Sequence, residues 1–129
     1  MENTAFIKER FKGMFESSDL NENFIHKIVD QSYIQHVDGE TLGFDGFVKH
    51  LKALKEKTKS IEIDFKTLIG EGEVVFSNHV VTATMKNETK VVIHVIAEFR
   101  VKDRKMYYCD ELTSLIDGAS ANRNLGSIP

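Results

Sequence analysis

Cysteine, positive charge in excess and long apolar runs are all scarce in this chain, and each absence excludes something. The only cysteine among 129 residues is Cys109, so no disulfide can form within the chain, which fits a reducing, cytoplasmic setting. No uninterrupted apolar run is long enough to span a bilayer. The opening stretch MENTAFIKERFKGMF breaks its apolar positions with charges, unlike the core of a signal peptide. Lys and Arg number 17 against 20 Asp and Glu, a formal net charge of −3, which argues against nucleic acid or an anionic membrane as partner. There is no two-histidine helical motif and no Cys/His ligand spacing. His36, Asp38 and Glu111 could be imagined as ligands, but no metal or other cofactor is expected. Repeats, linkers and low-complexity tracts are missing too.

What remains is ordinary globular material, 41% hydrophobic and 29% charged, enough for one domain with its own core. Residues 1–116 are read as that domain and 117–129, rich in Gly, Asn and Ser, as a loosely ordered tail.

The organising stretch is VVFSNHVVTATMKNETKVVIHVIAEFRVKDRKMYYCDELTSL. Val, Ile, Thr and Phe dominate its first two segments, and polar turns divide it into strands over 74–86, 90–101 and 105–115. A two-residue loop at Asn87 and Glu88 would set Thr84 opposite Val91, Thr82 opposite Ile93 and Val80 opposite Val95. One face would then carry Asn78, Val80, Val95, Ala97 and Phe99. The other would carry His79, Val81, Ala83, Val92, His94 and Ile96. On the last strand Tyr107, Cys109, Glu111 and Thr113 share a face by alternation.

Ahead of these strands, Phe6, Ile7, Phe11, Met14 and Phe15 recur at helical spacing over 4–15. A second helix follows a capping box of Asp19 and Glu22, with Phe24, Ile25, Ile28 and Val29 as its stripe. A third begins near Asp45 and carries Phe47, Val48, Leu51 and Leu54. Ile61, Ile63 and Phe65 alternate with charges and mark one more strand. Helix, helix, loop, helix and four strands make an α+β domain, with helices packed on an antiparallel sheet.

That order, together with YIQH before GFDGF, GEGEVVFSNH, and EFRVKDRKMYYCDEL, resembles the SnoaL-like polyketide cyclases of the nuclear transport factor 2-like superfamily, which also includes the ketosteroid isomerases. The resemblance implies a curved sheet wrapped around helices, a cone-shaped apolar pocket for a small hydrophobic organic molecule, and a homodimer through the convex sheet face. It places His36 at the pocket mouth and Glu111 at the family's acid/base aspartate position. There the family's Glu-His-Trp-Asp run is replaced by Tyr108-Cys109-Asp110-Glu111. Tyr33, Asn78, Val80, Val95, Ala97, Phe99, Tyr107 and Cys109 would line the pocket. Two functions fit this reading. One is proton transfer next to a carbonyl (isomerisation, cyclisation or hydration), with Glu111 as base and His36 as acid or carbonyl polariser. The other is a non-catalytic ligand-binding or dimeric interaction domain.

Overall fold

The computed structural model describes residues 2–118. Helix α1 covers 3–16, α-helical over Asn3–Phe6 and Lys12–Glu16 and π-helical over Ile7–Phe11 between them. Then come α2 (Glu22–Ile28), β1 (Val29–Val37), β2 (Glu40–Leu42), α3 (Phe44–Lys57), β3 (Thr58–Glu71), β4 (Val74–Met85), β5 (Lys90–Lys102) and β6 (Lys105–Asp117). The strands form one sheet in the order β2-β1-β6-β5-β4-β3. The fold is α+β, as the sequence indicates. No helix among the described residues is long and apolar enough to cross a membrane.

Four details differ from the sequence reading. First, the segment expected to be a loop around Tyr33 to His36 is strand β1, and it runs parallel to β6, so the sheet is mixed. Val29, Tyr33, Gln35 and Val37 turn inward and are buried; Gln35 breaks the apolar alternation that would have announced a strand. Second, the cap of α2 is Asn21, whose Oδ1 accepts from Phe24 N at 3.1 Å, not Asp19. Third, β6 runs on to Asp117, beyond the expected end at 115. The remaining tail, 119–129, lies outside the described residues.

The fourth difference matters most. The β4–β5 connection is a three-residue loop, Lys86-Asn87-Glu88, closed by Met85 N donating to Thr89 O at 2.8 Å. Glu88 has φ 72°, the left-handed residue that turns a type I turn into a bulged hairpin. The extra loop residue moves the register by one, pairing Ala83 with Val91, Val81 with Ile93 and His79 with Val95. Because side chains alternate, a one-residue slip sends every β4 residue to the opposite face. His79, Val81 and Ala83 therefore point inward, and Asn78 and Val80 point outward.

The inner face of the sheet lies under α1 and α3 and supplies much of the core: Val75, Val91, Phe99 and Val101 are completely buried, beside Phe47 and Leu51 of α3 and Ile7 of α1. Each such side chain contributes roughly 1.5–3 kcal/mol by leaving water. An electrostatic clamp holds α1 to the edge strand. Lys12 Nζ donates to Ile63 O at 2.6 Å, and Ile63 N donates to Glu16 Oε2 at 2.8 Å, so backbone groups with no partner strand on that side are satisfied. Gly70 lies where α1 crosses β3, and a Cβ there would stand 2.8 Å from Thr4 Cγ2.

Candidate functional site

Helices and sheet do not close completely. Between them lies an open-mouthed cavity in which the centre of a water-sized sphere can sweep about 60 Å³. Phe11 and Phe15 of α1, Leu54 of α3, Ile61 and Ile63 of β3, Val81 and Ala83 of β4, and Ile93 and Val95 of β5 make its apolar wall. Five polar side chains interrupt that wall: Gln35, His50, His79, Glu111 and Thr113.

Glu111 comes from β6, paired with Ala97 on one side and Val37 on the other. Its carboxyl is the acceptor for Cys109, with Sγ 3.9 Å from Oε2. Burial pushes its pKa up to about 8, the negative charge of Asp38 and, more weakly, that of Asp110 push the same way, and the Cys109 hydrogen bond opposes them. Desolvation is the leading cause: the residue is half-buried, and the apolar wall around its carboxyl strips water that would favour the charged form. Asp38 is placed there by the β1–β2 turn, where it takes φ 49° and Gly39 φ 89°. It accepts from Thr113 N at 2.8 Å and from Thr113 Oγ1, and its own N–H donates to Glu111 O at 3.2 Å. The turn is thereby tied to the strand that carries Glu111.

Gln35 stands beside this acid on β1, where it pairs with Cys109. It is 4% exposed and accepts a hydrogen bond from the Tyr33 hydroxyl at 2.6 Å. Burial raises the Tyr33 pKa well above its ordinary value, with the Cys109 and Glu111 charges adding to that, so the hydroxyl stays a donor. Since Oε1 takes that bond, the amide NH2 is the end of Gln35 available to other partners. Cys109 is also buried and its thiol raised, first by burial; it is an inert partner to Glu111, not a nucleophile.

Across the floor, His79 of β4 is 2% exposed, and its Nδ1 shares a hydrogen bond of 2.6 Å with Ser77 Oγ. Phe65, Phe11 and Phe99 surround the ring at 5.2, 6.3 and 6.4 Å. Burial pulls its pKa down to about 4, helped by His94, so the imidazole is neutral at physiological pH. His50 of α3, also 2% exposed, completes the set from the helical side.

The expected site residues divide accordingly. Glu111 and Val95 face the cavity; Tyr33, Ala97, Phe99 and Cys109 are buried in the core behind its wall. His36 is a correction. On β1 it alternates with buried Gln35 and Val37 and so lies on the outer face, bonded to Thr41 Oγ1 at 3.0 Å with Tyr108 5.7 Å away. Asn78 and Val80 are outside because of the hairpin register, and Asn78 Oδ1 meets His94 Nε2 at 2.6 Å. Tyr107 does not share the Cys109 face. A register shift sets Arg100 against Tyr108 but Val101 against Met106, and this bulge leaves Met106 buried while Tyr107 turns to Glu73, its hydroxyl donating at 2.7 Å.

Gln35, His50 and His79 were missed. His50 could have been found, since it falls on the stripe of Phe47, Leu51 and Leu54. Gln35 follows from alternation with Tyr33 and Val37 once 29–37 is known to be a strand. His79 required the true hairpin register.

No protein-family model matches the sequence. The uncharacterized protein C11D3.04c of Schizosaccharomyces pombe is 31% identical over 124 residues, covering 96% of this chain and 95% of its own length. The chain belongs to one family with that protein, and its fold is the SnoaL-like, nuclear transport factor 2-like one. Among solved structures with this fold, IdmH from Streptomyces antibioticus, a candidate polyketide cyclase, superposes with a TM-score of 0.73 at 11% identity, over 88% of this chain and 93% of its own. An M. tuberculosis LEH-like epoxide hydrolase superposes with a TM-score of 0.71 at 14% identity, over 86% and 84%. In this chain the cavity lies between the helices and the sheet, and its acidic group comes from the last strand of the fold.

Proposed function

We propose that this protein binds a small apolar molecule in the cavity and that Glu111 transfers a proton next to a carbonyl of that molecule, in an isomerisation, cyclisation or hydration. The observation that carries this reading is the placement of Glu111: one carboxyl set into an apolar wall, its pKa raised to about 8. An acid with a pKa near the working pH can both give and take a proton, which suits general acid/base chemistry. The carbonyl polariser is Gln35 and not His36, since Gln35 lines the cavity from the strand next to Glu111 and, with its Oε1 taken by Tyr33, has its amide NH2 left to donate. Likeness to folds that include a candidate polyketide cyclase and an epoxide hydrolase supports small-molecule chemistry in general. A cytoplasmic location fits the single buried thiol. The test pairs a carboxyl-carbon NMR titration of Glu111 with a turnover assay on β-keto and enone compounds. An ordinary Glu111 pKa, or full activity in Glu111→Gln, would remove the catalytic part and leave a ligand-binding protein.

A second reading concerns assembly. Phe76, Ile96 and Leu112 lie on the outer face of adjacent strands and are 52, 45 and 68% exposed. Large apolar side chains clustered on one face are typical of a contact surface. A second copy of the chain, paired face to face, would cover them in a symmetric dimer.

A further inference from the structure

Two separate poles stand out among the polar groups of the cavity wall, with Thr113 on β6 and His50 on α3 as the remaining polar members. Glu111 of β6 and Gln35 of β1 make the first. His79 of β4, held by Ser77, makes the second. On the inner face Ser77 aligns with Ala97 and then Glu111, and His79 aligns with Val95 and then Thr113. Two strand spacings therefore separate β4 from β6, about 10 Å. The strand between them places Ala97 and Val95, both apolar, on the two rows that join the poles. The second pole is rigid, because three phenylalanine rings and the Ser77 bond fix the His79 imidazole. With Nδ1 engaged, Nε2 is the atom through which that ring can meet a ligand.

Charge adds a second constraint. Among the described residues no lysine, arginine or aspartate contributes to the wall, whose titratable groups are Glu111, His79 and, from the helical side, His50. Burial keeps His79 neutral down to about pH 4, and Glu111 holds its proton up to about pH 8. An ionic ligand would lose its hydration without gaining a counter-charge at either pole.

We infer that the cavity selects uncharged molecules with a polar group at each end of an apolar body, one end held by Glu111 and Gln35 and the other by His79, which makes His79 a specificity-determining residue. This rests on reading the cavity as a ligand site and deepens it by naming the ligand class.

The test uses the full chain at pH 6.5 and three probes, with NMR of the histidine rings as readout. The probes are 4′-hydroxyacetophenone, which is neutral with two polar ends, acetophenone with one, and 4-hydroxybenzoate, which is anionic. The two-ended ketone should bind about ten-fold more tightly than the carboxylate and shift the His79 ring signals. In His79→Gln its affinity should fall about ten-fold, while that of acetophenone stays unchanged. A purely structural role for His79 would weaken both ketones alike. The ring shifts in the unsubstituted protein keep the idea testable even if the variant folds poorly. Equal affinity for carboxylate and ketone, unmoved His79 signals at saturation, or equal losses for both ketones would overturn the inference alone. Failure of all three probes to bind would overturn it together with the ligand-site reading.

Discussion

The two faces of the sheet depart from simple patterning in opposite directions. On the inner face, completely buried Val75, Val91 and Phe99 are interrupted by Gln35, His79 and Glu111. On the outer face, polar contacts such as Asn78 with His94, and Glu98 with Arg100, whose guanidinium sits 4.6 Å from the Tyr108 ring, are interrupted by exposed Phe76, Ile96 and Leu112. The first anomaly costs stability, because polar groups in an apolar wall resist desolvation. The second costs solubility unless something covers it. A buried polar group and an exposed apolar cluster are the two observations a sequence composition cannot average away. The functions proposed above divide along the same line: chemistry inside, association outside.

The sharpest way to break that division is Glu111→Gln. It should lower proton-transfer turnover by roughly 10²–10⁴ while leaving the fold and any dimer intact, as measured by initial rates and sedimentation. The same variant carries a stability signature. The folded protein keeps a proton on Glu111 that the unfolded chain releases above its ordinary 4.5, so stability falls as pH rises from there to about 8 and then levels. Glu111→Gln removes this loss and should be more stable than the parent above pH 8 by about 1–3 kcal/mol in urea denaturation. Below pH 4 the two should coincide.

His79 gives the opposite sign on the same face. It stays neutral when folded, whereas the unfolded chain takes up a proton below 6.5, so stability is retained above 6.5 and lost as pH falls to about 4. The loss should approach about 3 kcal/mol at the acid end. His79→Gln should flatten that limb of the denaturation profile and leave the alkaline limb unchanged. A parent profile level between pH 6.5 and 4 would mean that the imidazole is solvated.

The outer face is tested by contrast. Leu112→Asp should weaken self-association by roughly ten- to a hundred-fold in sedimentation equilibrium, with little change in melting temperature. Val81→Asp should do the reverse, because Val81 belongs to the cavity wall: it buries a charge and destabilises the fold, by about 2 kcal/mol or more. The smallest effect is expected for Asp38→Asn. Removing that charge should lower the Glu111 pKa by a fraction of a unit in the carboxyl-carbon titration, since burial and not Asp38 is the leading cause.

Local pattern was enough for much of this molecule. The stripes Phe6 to Phe15 and Phe47 to Leu54, the alternation around Ile63, and the Val/Ile/Thr-rich segments of β4 and β5 announce three helices and a sheet, because burial on one face imposes a period of 3.6 or 2. The inward direction of β5 and of Glu111 came from the family resemblance and not from periodicity, which leaves the two faces of a strand equivalent. Beyond that, single-residue events decided. One additional residue in the Lys86–Glu88 loop reversed β4, exchanging Asn78 and Val80 for His79 and Val81 in the wall. One bulge in β6 separated Tyr107 from Cys109. One parallel pairing with a strand far along the chain turned a supposed loop into β1 and put Gln35, not His36, beside the acid. None of these is written in composition or periodicity. A loop length or a bulge is chosen by which register buries the most apolar surface across the whole sheet, and only the folded chain makes that comparison.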